Sequence, residues 1–222
     1  MGRPVPQSVM PPMGAAPLKP CNPSQDPRLI LMNDPNGSQA SGFRILRDTL
    51  FSKGLPKVLA ISSAEEGEGK TTCAVNLALA IAEQRQGPMG KILLVDGHFA
   101  DPTLVSLLGI DTSVPVTAGP FVLAQLTPSL HVASIPSAQQ YVDFSTLARL
   151  FDSFHRSGYQ HIILDTPPIE GSPEGNLLLN LAGGVLLVTR AGQSTTAAFK
   201  KAVERVGEKA LGVALMDAPA TS

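Results

Sequence analysis

An apolar run from Lys57 to Ser62 and a helix-patterned run from Cys73 to Glu83 enclose Ala64-Glu-Glu-Gly-Glu-Gly-Lys-Thr71, followed by Thr72. Few folds accommodate a glycine-bearing loop between a strand and a helix with a lysine and two hydroxyls at the helix start. Such a loop cradles phosphate. Gly67 and Gly69 let successive backbone N–H groups turn inward, Lys70 reaches the β- and γ-oxygens, and the Thr71 hydroxyl is placed to ligate Mg2+. Glu66, Glu68 and Thr72 complete the segment expected to wrap the nucleotide. The strict pattern begins with glycine, and Ala64 stands there instead; its one methyl costs some turn freedom and adds little bulk. ATP or ADP with Mg2+ is the expected ligand.

At 222 residues and 43% hydrophobic content, the chain can bury one substantial α/β core but hardly two. A formal net charge of −1 and a pI near 6.4, with no Lys/Arg run, offer no basic field to a nucleic-acid backbone, so no nucleic acid is expected as a partner. No apolar run approaches the roughly 18 residues of a membrane span, and any membrane link is expected to come through a partner. The two cysteines, Cys21 and Cys73, are not spaced for zinc and fit a reduced, cytoplasmic setting.

Residues 1–37 crowd proline with Gly, Ser and Asn, which predicts an unstructured tail or tether; residues 38–222 are expected to form the nucleotide-binding domain. From Ser38 to Phe51, Phe43, Leu46 and Leu50 recur at helical spacing, with Arg44, Arg47 and Asp48 on other faces. Apolar strand candidates then follow at Val58–Ile61, Ile92–Val95, Leu130–Ile135, Ile162–Leu164, Val185–Val188 and Val213–Leu215. They alternate with helical patterns at Thr71–Gln84, Pro102–Leu108, Phe144–Ser157, Asn176–Leu181 and Thr195–Gly207, with Asp143 and Ser194 as expected N-caps. This alternation predicts an α/β fold, a mainly parallel central sheet flanked by helices in a three-layer sandwich of the P-loop NTPase kind. Gly109 to Gln125, rich in Pro, Thr and Gly, reads as loop with room for a short helix.

Two carboxylates stand at the ends of core strands. Asp96 closes Lys91–Asp96 and suits a base or a metal-water contact; Asp165 follows Ile162–Leu164 and suits the carboxylate that holds Mg2+ through water beside Thr71. The alternative is that both are turn residues or caps.

Several motifs in order now carry a resemblance: Ser41-Gly-Phe-Arg-Ile-Leu-Arg-Asp-Thr-Leu50, Ile61-Ser-Ser-Ala-Glu-Glu-Gly-Glu-Gly-Lys-Thr-Thr72, Leu93-Leu-Val-Asp96, Ile163-Leu-Asp-Thr-Pro-Pro168 and Val188-Thr-Arg-Ala-Gly192. From about Asp26 to Met216 the chain resembles the bacterial tyrosine kinases of capsule and exopolysaccharide synthesis, relatives of the partitioning and division-site ATPases. Glu65 stands where most partitioning ATPases carry an additional lysine, which favours the kinase side. The resemblance implies MgATP phosphoryl transfer or hydrolysis with Lys70, Asp96 and Asp165 as catalytic residues, and Arg190 near the nucleotide. It also implies a homo-oligomer through Arg44 and Arg47, and as partner a membrane polysaccharide chain-length or co-polymerase protein, or its cytoplasmic segment, that recruits the chain to the inner membrane face.

The chain departs from that pattern in several places. His98 and Ala100 stand where the family has its second metal-serving Asp and an Arg; Mg2+ prefers oxygen ligands, so His98 reads as a loss or retuning of the metal site. Ser41 replaces the glutamate that pairs with the arginines of a neighbouring subunit, leaving a solvated surface as the other reading of Arg44 and Arg47. The only tyrosines are Tyr141 and Tyr159, and the sequence stops at Ala218-Pro-Ala-Thr-Ser222 without a tyrosine cluster, so the family's usual autophosphorylation is not expected. Met216 stands at the position of an asparagine near the adenine. Three functions follow: a kinase-like phosphotransferase of polysaccharide export, a nucleotide switch with little turnover that regulates a membrane partner, and a positioning ATPase.

Overall fold

The apolar runs pair into one sheet of β1 (Lys19–Pro20), β2 (Val58–Ser63), β3 (Ile92–Asp96), β4 (Val122–Thr127), β5 (Leu130–Ser134), β6 (His161–Asp165), β7 (Gly184–Arg190) and β8 (Ala210–Met216), in spatial order β1-β4-β5-β3-β6-β2-β7-β8. The computed structural model describes residues 18–84, 90–112, 121–134 and 144–217. Every neighbouring pair is parallel except β4 with β5. The helices are α1 (Ile30–Asn33), α2 (Ser38–Ser52), α3 (Lys70–Glu83), α4 (Thr103–Leu107), α5 (Phe144–Arg156), α6 (Pro173–Leu181) and α7 (Thr196–Val206).

The central strands are buried along their whole length because helices cover both faces, as parallel sheets require. Alternate residues of β2 divide accordingly: Leu59 and Ile61 pack with α3 on one side, and Val58 and Ala60 pack with α5, α6 and α7 on the other. On that second side α5 turns Leu147, Leu150, Phe151 and Phe154 inward. Three layers result, as the sequence pattern implies.

Three expectations need correction. Residues 18–37 do not hang free as a tail: β1 extends the sheet, and Leu29 and Leu31 are buried in the core. The cause lies in α3, which is apolar nearly all round from Cys73 to Ala82 and therefore needs cover on the side away from the sheet. Chain upstream of α2 supplies part of that cover. Gly109 to Gln125 is not loop throughout, since Val122 begins β4 and pairs antiparallel with β5 through a tight turn in which Leu130 N–H donates to Thr127 Oγ1 at 3.0 Å. The N-cap of α7 is Thr195, whose side chain accepts from Ala198 N–H, and not Ser194; Asp143 and Ile135 lie outside the described residues.

Arg44 and Arg47 are also not a solvated face. Arg44 makes a two-pronged contact with Glu83 at 2.8 and 2.6 Å and donates to Pro35 O at 2.7 Å. Arg47 is buried, and its Nη1 donates at 2.9 Å to the carbonyl of Ala80, one of the last four of α3 that find no partner within the helix. Both arginines thus bind α2 to the end of the loop-bearing helix.

Candidate nucleotide and metal site

Strand β2 ends at Ser63, and α3 begins at Lys70. Between them the chain turns through Gly67 at φ +77° and Gly69 at φ +94°, angles open to glycine at little steric cost. Gly69 also leaves room for a neighbour, since a Cβ there would sit 3.2 Å from Met216 Cγ. The N-terminal amides of α3, with their share of the helix dipole, therefore face an open cavity of about 790 Å3. Gly67, Lys70, Thr71, His98, Asp101 and Arg190 are among its lining residues. Lys70 is almost wholly buried and is held by the loop itself, through Ser63 Oγ at 3.0 Å and Glu65 O at 3.2 Å, with Glu66 at 3.5 Å.

Glu68 behaves differently from its neighbours. Its side chain turns away from the cavity, accepts from Glu65 N–H at 2.7 Å, and is engaged by Ser194 Oγ and Thr189 Oγ1 on the other side. It therefore ties the loop to the end of β7 and leaves only its backbone for a phosphate.

Sheet register sets what lies buried beneath the cavity. Asp96 pairs directly with Asp165 across β3 and β6, so both carboxylates emerge side by side at the ends of neighbouring strands. Gly97 permits this close approach, because a Cβ there would meet the Asp165 carbonyl at 2.5 Å. Asp96 spends one oxygen on His98 N–H at 3.1 Å and the other on Leu104 N–H at 2.8 Å, which fixes the start of α4. Asp165 is fully buried; Oδ2 lies 3.5 Å from Thr103 Oγ1, and Oδ1 has no hydrogen-bond partner among the described residues. Burial pushes its carboxyl up to about 7, with the His98 charge pulling it back, Asp96 adding to the rise and the Thr71 hydrogen bond lowering it.

His98 stands over this pair, with Nδ1 3.6 Å from Asp96 Oδ1 and 3.8 Å from Asp165 Oδ2. Burial alone would lower its basicity, yet the Asp96 contact and the charges of Asp165 and Asp96 outweigh burial and raise it. One donor atom from each of the three residues falls within 4.8 Å of the others. The fit to Mg2+ at the expected pair is supported by two features: Thr71 lines the cavity at the start of α3, and Asp165 Oδ1 is buried without a partner among the described residues.

Arg190 lies beside the loop with Nε 2.8 Å from Asp217 Oδ2. Together with Arg28 and Thr72 it also borders a second cavity, about 640 Å3, walled by Phe43, Leu46 and Met216. That Arg28, Phe43 and Leu46 join Met216 here is not legible in the sequence, because they come from three distant segments that meet only in the fold. Cys73 packs beneath the loop as an inert thiol, pushed up to about 12 by burial and then by the Asp165 charge. Tyr159 is buried with its hydroxyl 2.7 Å from His131 Nδ1, a packing role consistent with its place before β6; Tyr141 lies outside the described residues.

A mainly parallel sheet with a glycine-bearing loop at the head of α3 and acidic strand ends beside it is the architecture of the P-loop NTPase fold. No family model matches the sequence. The chain is 28% identical over 194 residues to the tyrosine-protein kinase YwqD of Bacillus subtilis, covering 79% of this chain and 78% of that protein. It is likewise 28% identical over 190 residues to the tyrosine-protein kinase CpsD of Streptococcus agalactiae serotype III, covering 78% and 80%. Among solved structures, the chimerical protein CapA2B2 superposes with a TM-score of 0.73 at 23% identity, over 92% of this chain and 96% of that one. The septum site-determining protein MinD of Pyrococcus horikoshii, complexed with Mg-ADP, superposes with a TM-score of 0.52 at 21% identity, over 71% and 68%. In sequence the chain is thus similar, at 28% identity over most of its length, to bacterial tyrosine-protein kinases.

Proposed function

We propose that the chain binds MgATP and acts as a tyrosine-kinase-like phosphotransferase or ATPase in capsular or exopolysaccharide production. The observation that carries this reading is one cavity lined by the start of α3 and Lys70, with the fully buried Asp165 carboxylate lying directly behind its lining residues His98 and Thr103 and keeping one oxygen without a partner among the described residues. The loop amides and Lys70 hold the phosphates, Lys70 exchanging its contacts with Ser63 and Glu65 for phosphate oxygens of higher charge. Thr71 and Asp165 would hold Mg2+, directly and through water, and the ion would neutralise charge on the phosphates. Arg190 and Arg28 supply positive charge where the two cavities join, and the apolar wall of Phe43, Leu46 and Met216 takes the base. Work at the inner face of the membrane is assigned to recruitment by a polysaccharide chain-length protein, since no described helix is long and apolar enough to cross a bilayer.

One observation favours a second reading, a nucleotide switch with little turnover. Both Asp96 oxygens already accept backbone N–H bonds, which hold the carboxylate to the start of α4 and turn it away from the task of receiving a proton from the attacking hydroxyl. Calorimetry with ATP and ADP in Mg2+ tests binding. Wild-type protein should bind, and Lys70→Met should lose at least about tenfold in affinity, the scale expected for losing a charge-assisted phosphate contact of roughly 1.5–3 kcal/mol. Absence of heat for both nucleotides at millimolar concentration overturns the proposal. Phosphate release measured alongside separates the readings: turnover above the Lys70→Met background supports the phosphotransferase, and tight binding without turnover supports the switch.

A further inference from the structure

His98 changes the chemistry of the cavity floor. Its Nδ1 has no hydrogen-bond partner among the described residues and lies between two carboxylates, so a metal ion that displaces its proton meets a nitrogen lone pair there. Asp165 Oδ1, fully buried, is similarly unclaimed. Each Asp96 oxygen accepts one backbone N–H and keeps a further lone pair. Metal–ligand bonds of about 2.0–2.2 Å place two ligand atoms no more than about 4.4 Å apart when they face each other across the ion, and closer otherwise. The separations of 3.6 Å from His98 Nδ1 to Asp96 Oδ1 and 3.8 Å to Asp165 Oδ2 lie inside that limit, and the partnerless Oδ1 is the other oxygen of the same Asp165 carboxylate. Once metal binding has displaced their protons, two carboxylates and a neutral imidazole carry two negative charges, which a divalent ion neutralises.

Imidazole nitrogen is a poor ligand for Mg2+, which prefers six oxygens in a nearly ideal octahedron, and a good one for cobalt, zinc and their neighbours. We propose that Asp96, His98 and Asp165 form a site for a first-row divalent transition-metal ion, with His98 Nδ1 as a direct ligand and Mg2+ as the weaker occupant. The proposal deepens the nucleotide reading by naming the ion that the cavity selects. The two anchoring carboxylates sit on paired strand ends and α4 is fixed by Asp96, so the donor set is largely formed before metal arrives. Thr71 and His98 both line the cavity, which leaves room for a phosphate oxygen or water to complete the shell.

Full-length protein stripped with chelator and free of nucleotide is titrated with Co2+ and, separately, with Mg2+, by calorimetry and visible absorption. Wild type should bind Co2+ at least about tenfold more tightly than Mg2+ and develop ligand-field bands characteristic of a nitrogen-containing site. His98→Ala should lose about ten- to a hundredfold in Co2+ affinity, and His98→Asp should shift the preference back towards Mg2+. Circular dichroism confirms that both variants are folded, and Asp165→Asn serves as a second variant that must also lose Co2+. Equal affinity for the two ions in wild type, or unchanged Co2+ binding in His98→Ala, overturns the assignment. Because nucleotide is absent, intact Co2+ binding with failed ATP binding overturns only the nucleotide reading, and the reverse result overturns only this one.

Discussion

Asn76 is the one polar side chain in the long apolar stretch of α3, and it is completely buried. Its Oδ1 accepts from Leu31 N–H at 3.0 Å, and its Nδ2 donates to Arg28 O and Thr72 O, both at 2.7 Å. A single amide thus fastens the segment carrying Arg28 to the helix that carries the phosphate loop. Asn76→Ala should destabilise the protein by about 1–3 kcal/mol, the usual cost of leaving buried polar groups unpaired. It should also weaken ADP binding, because Arg28 borders both cavities. Urea unfolding together with ADP calorimetry checks both effects, and unchanged unfolding would remove the fastening role. Nothing in the sequence marks Asn76: a lone amide in an apolar helix declares its partners only when distant carbonyls and amides are brought to it. Lys70 and Thr71, by contrast, are legible because their chemistry depends on neighbours within the same loop.

The loop between β2 and α3 works as an element because two of its residues take left-handed backbone angles. Gly69 immediately precedes the first helical residue, and its missing Cβ accommodates Met216 from the end of β8. Gly69→Ala combines a φ of +94° with a contact at 3.2 Å. Strain of that kind costs roughly 1–3 kcal/mol. The expected outcome is a lower melting temperature and a loss of ADP affinity, and a variant that melts and binds as wild type does would show that the loop relaxes freely. Helix α2 illustrates the limits of periodicity at this scale. Its apolar stripe was readable from Phe43, Leu46 and Leu50, but the arginines on its other faces turned out to close the C-terminal end of α3, a contact between residues 33 to 39 positions apart. Strand β4 was hidden for a related reason: an antiparallel partner between β1 and β5 follows no alternation of strand and helix.

Across the whole molecule, stability is expected to depend on pH through His131, in β5 between β4 and β3. Burial, and then the nearby Lys91 charge, lower this imidazole to about 4 from 6.5, and it sits neutral against the Tyr159 hydroxyl. Between those two values the unfolded chain binds the proton and the folded chain does not. Stability is therefore full above about 6.5 and declines as pH falls towards 4, by up to about 1.4 kcal/mol per pH unit from this group. Urea unfolding at successive pH values should show a shallower decline in His131→Gln than in wild type; parallel declines would exclude His131 as the source. The same scale decides the fate of residues 18–37. Their proline-rich composition predicts disorder, yet the uncovered side of α3 recruits Leu29 and Leu31, and burial of such side chains at about 1.5–3 kcal/mol each outweighs the poor local propensity.

The sequence by itself determined the phosphate loop, the alternation of strands and helices, the two acidic strand ends and the departure at His98. All of these are local: each needs only a few neighbouring residues, so spacing and residue type suffice. Tertiary structure alone decided that Asp96, His98 and Asp165 share one floor, that Glu68 turns away from the cavity, that Arg44 and Arg47 serve α3, and that Arg28, Phe43 and Met216 close a second cavity. Those features rest on strand register and on packing between segments far apart in the chain, where which side chains meet is set by the covering of apolar surface as a whole.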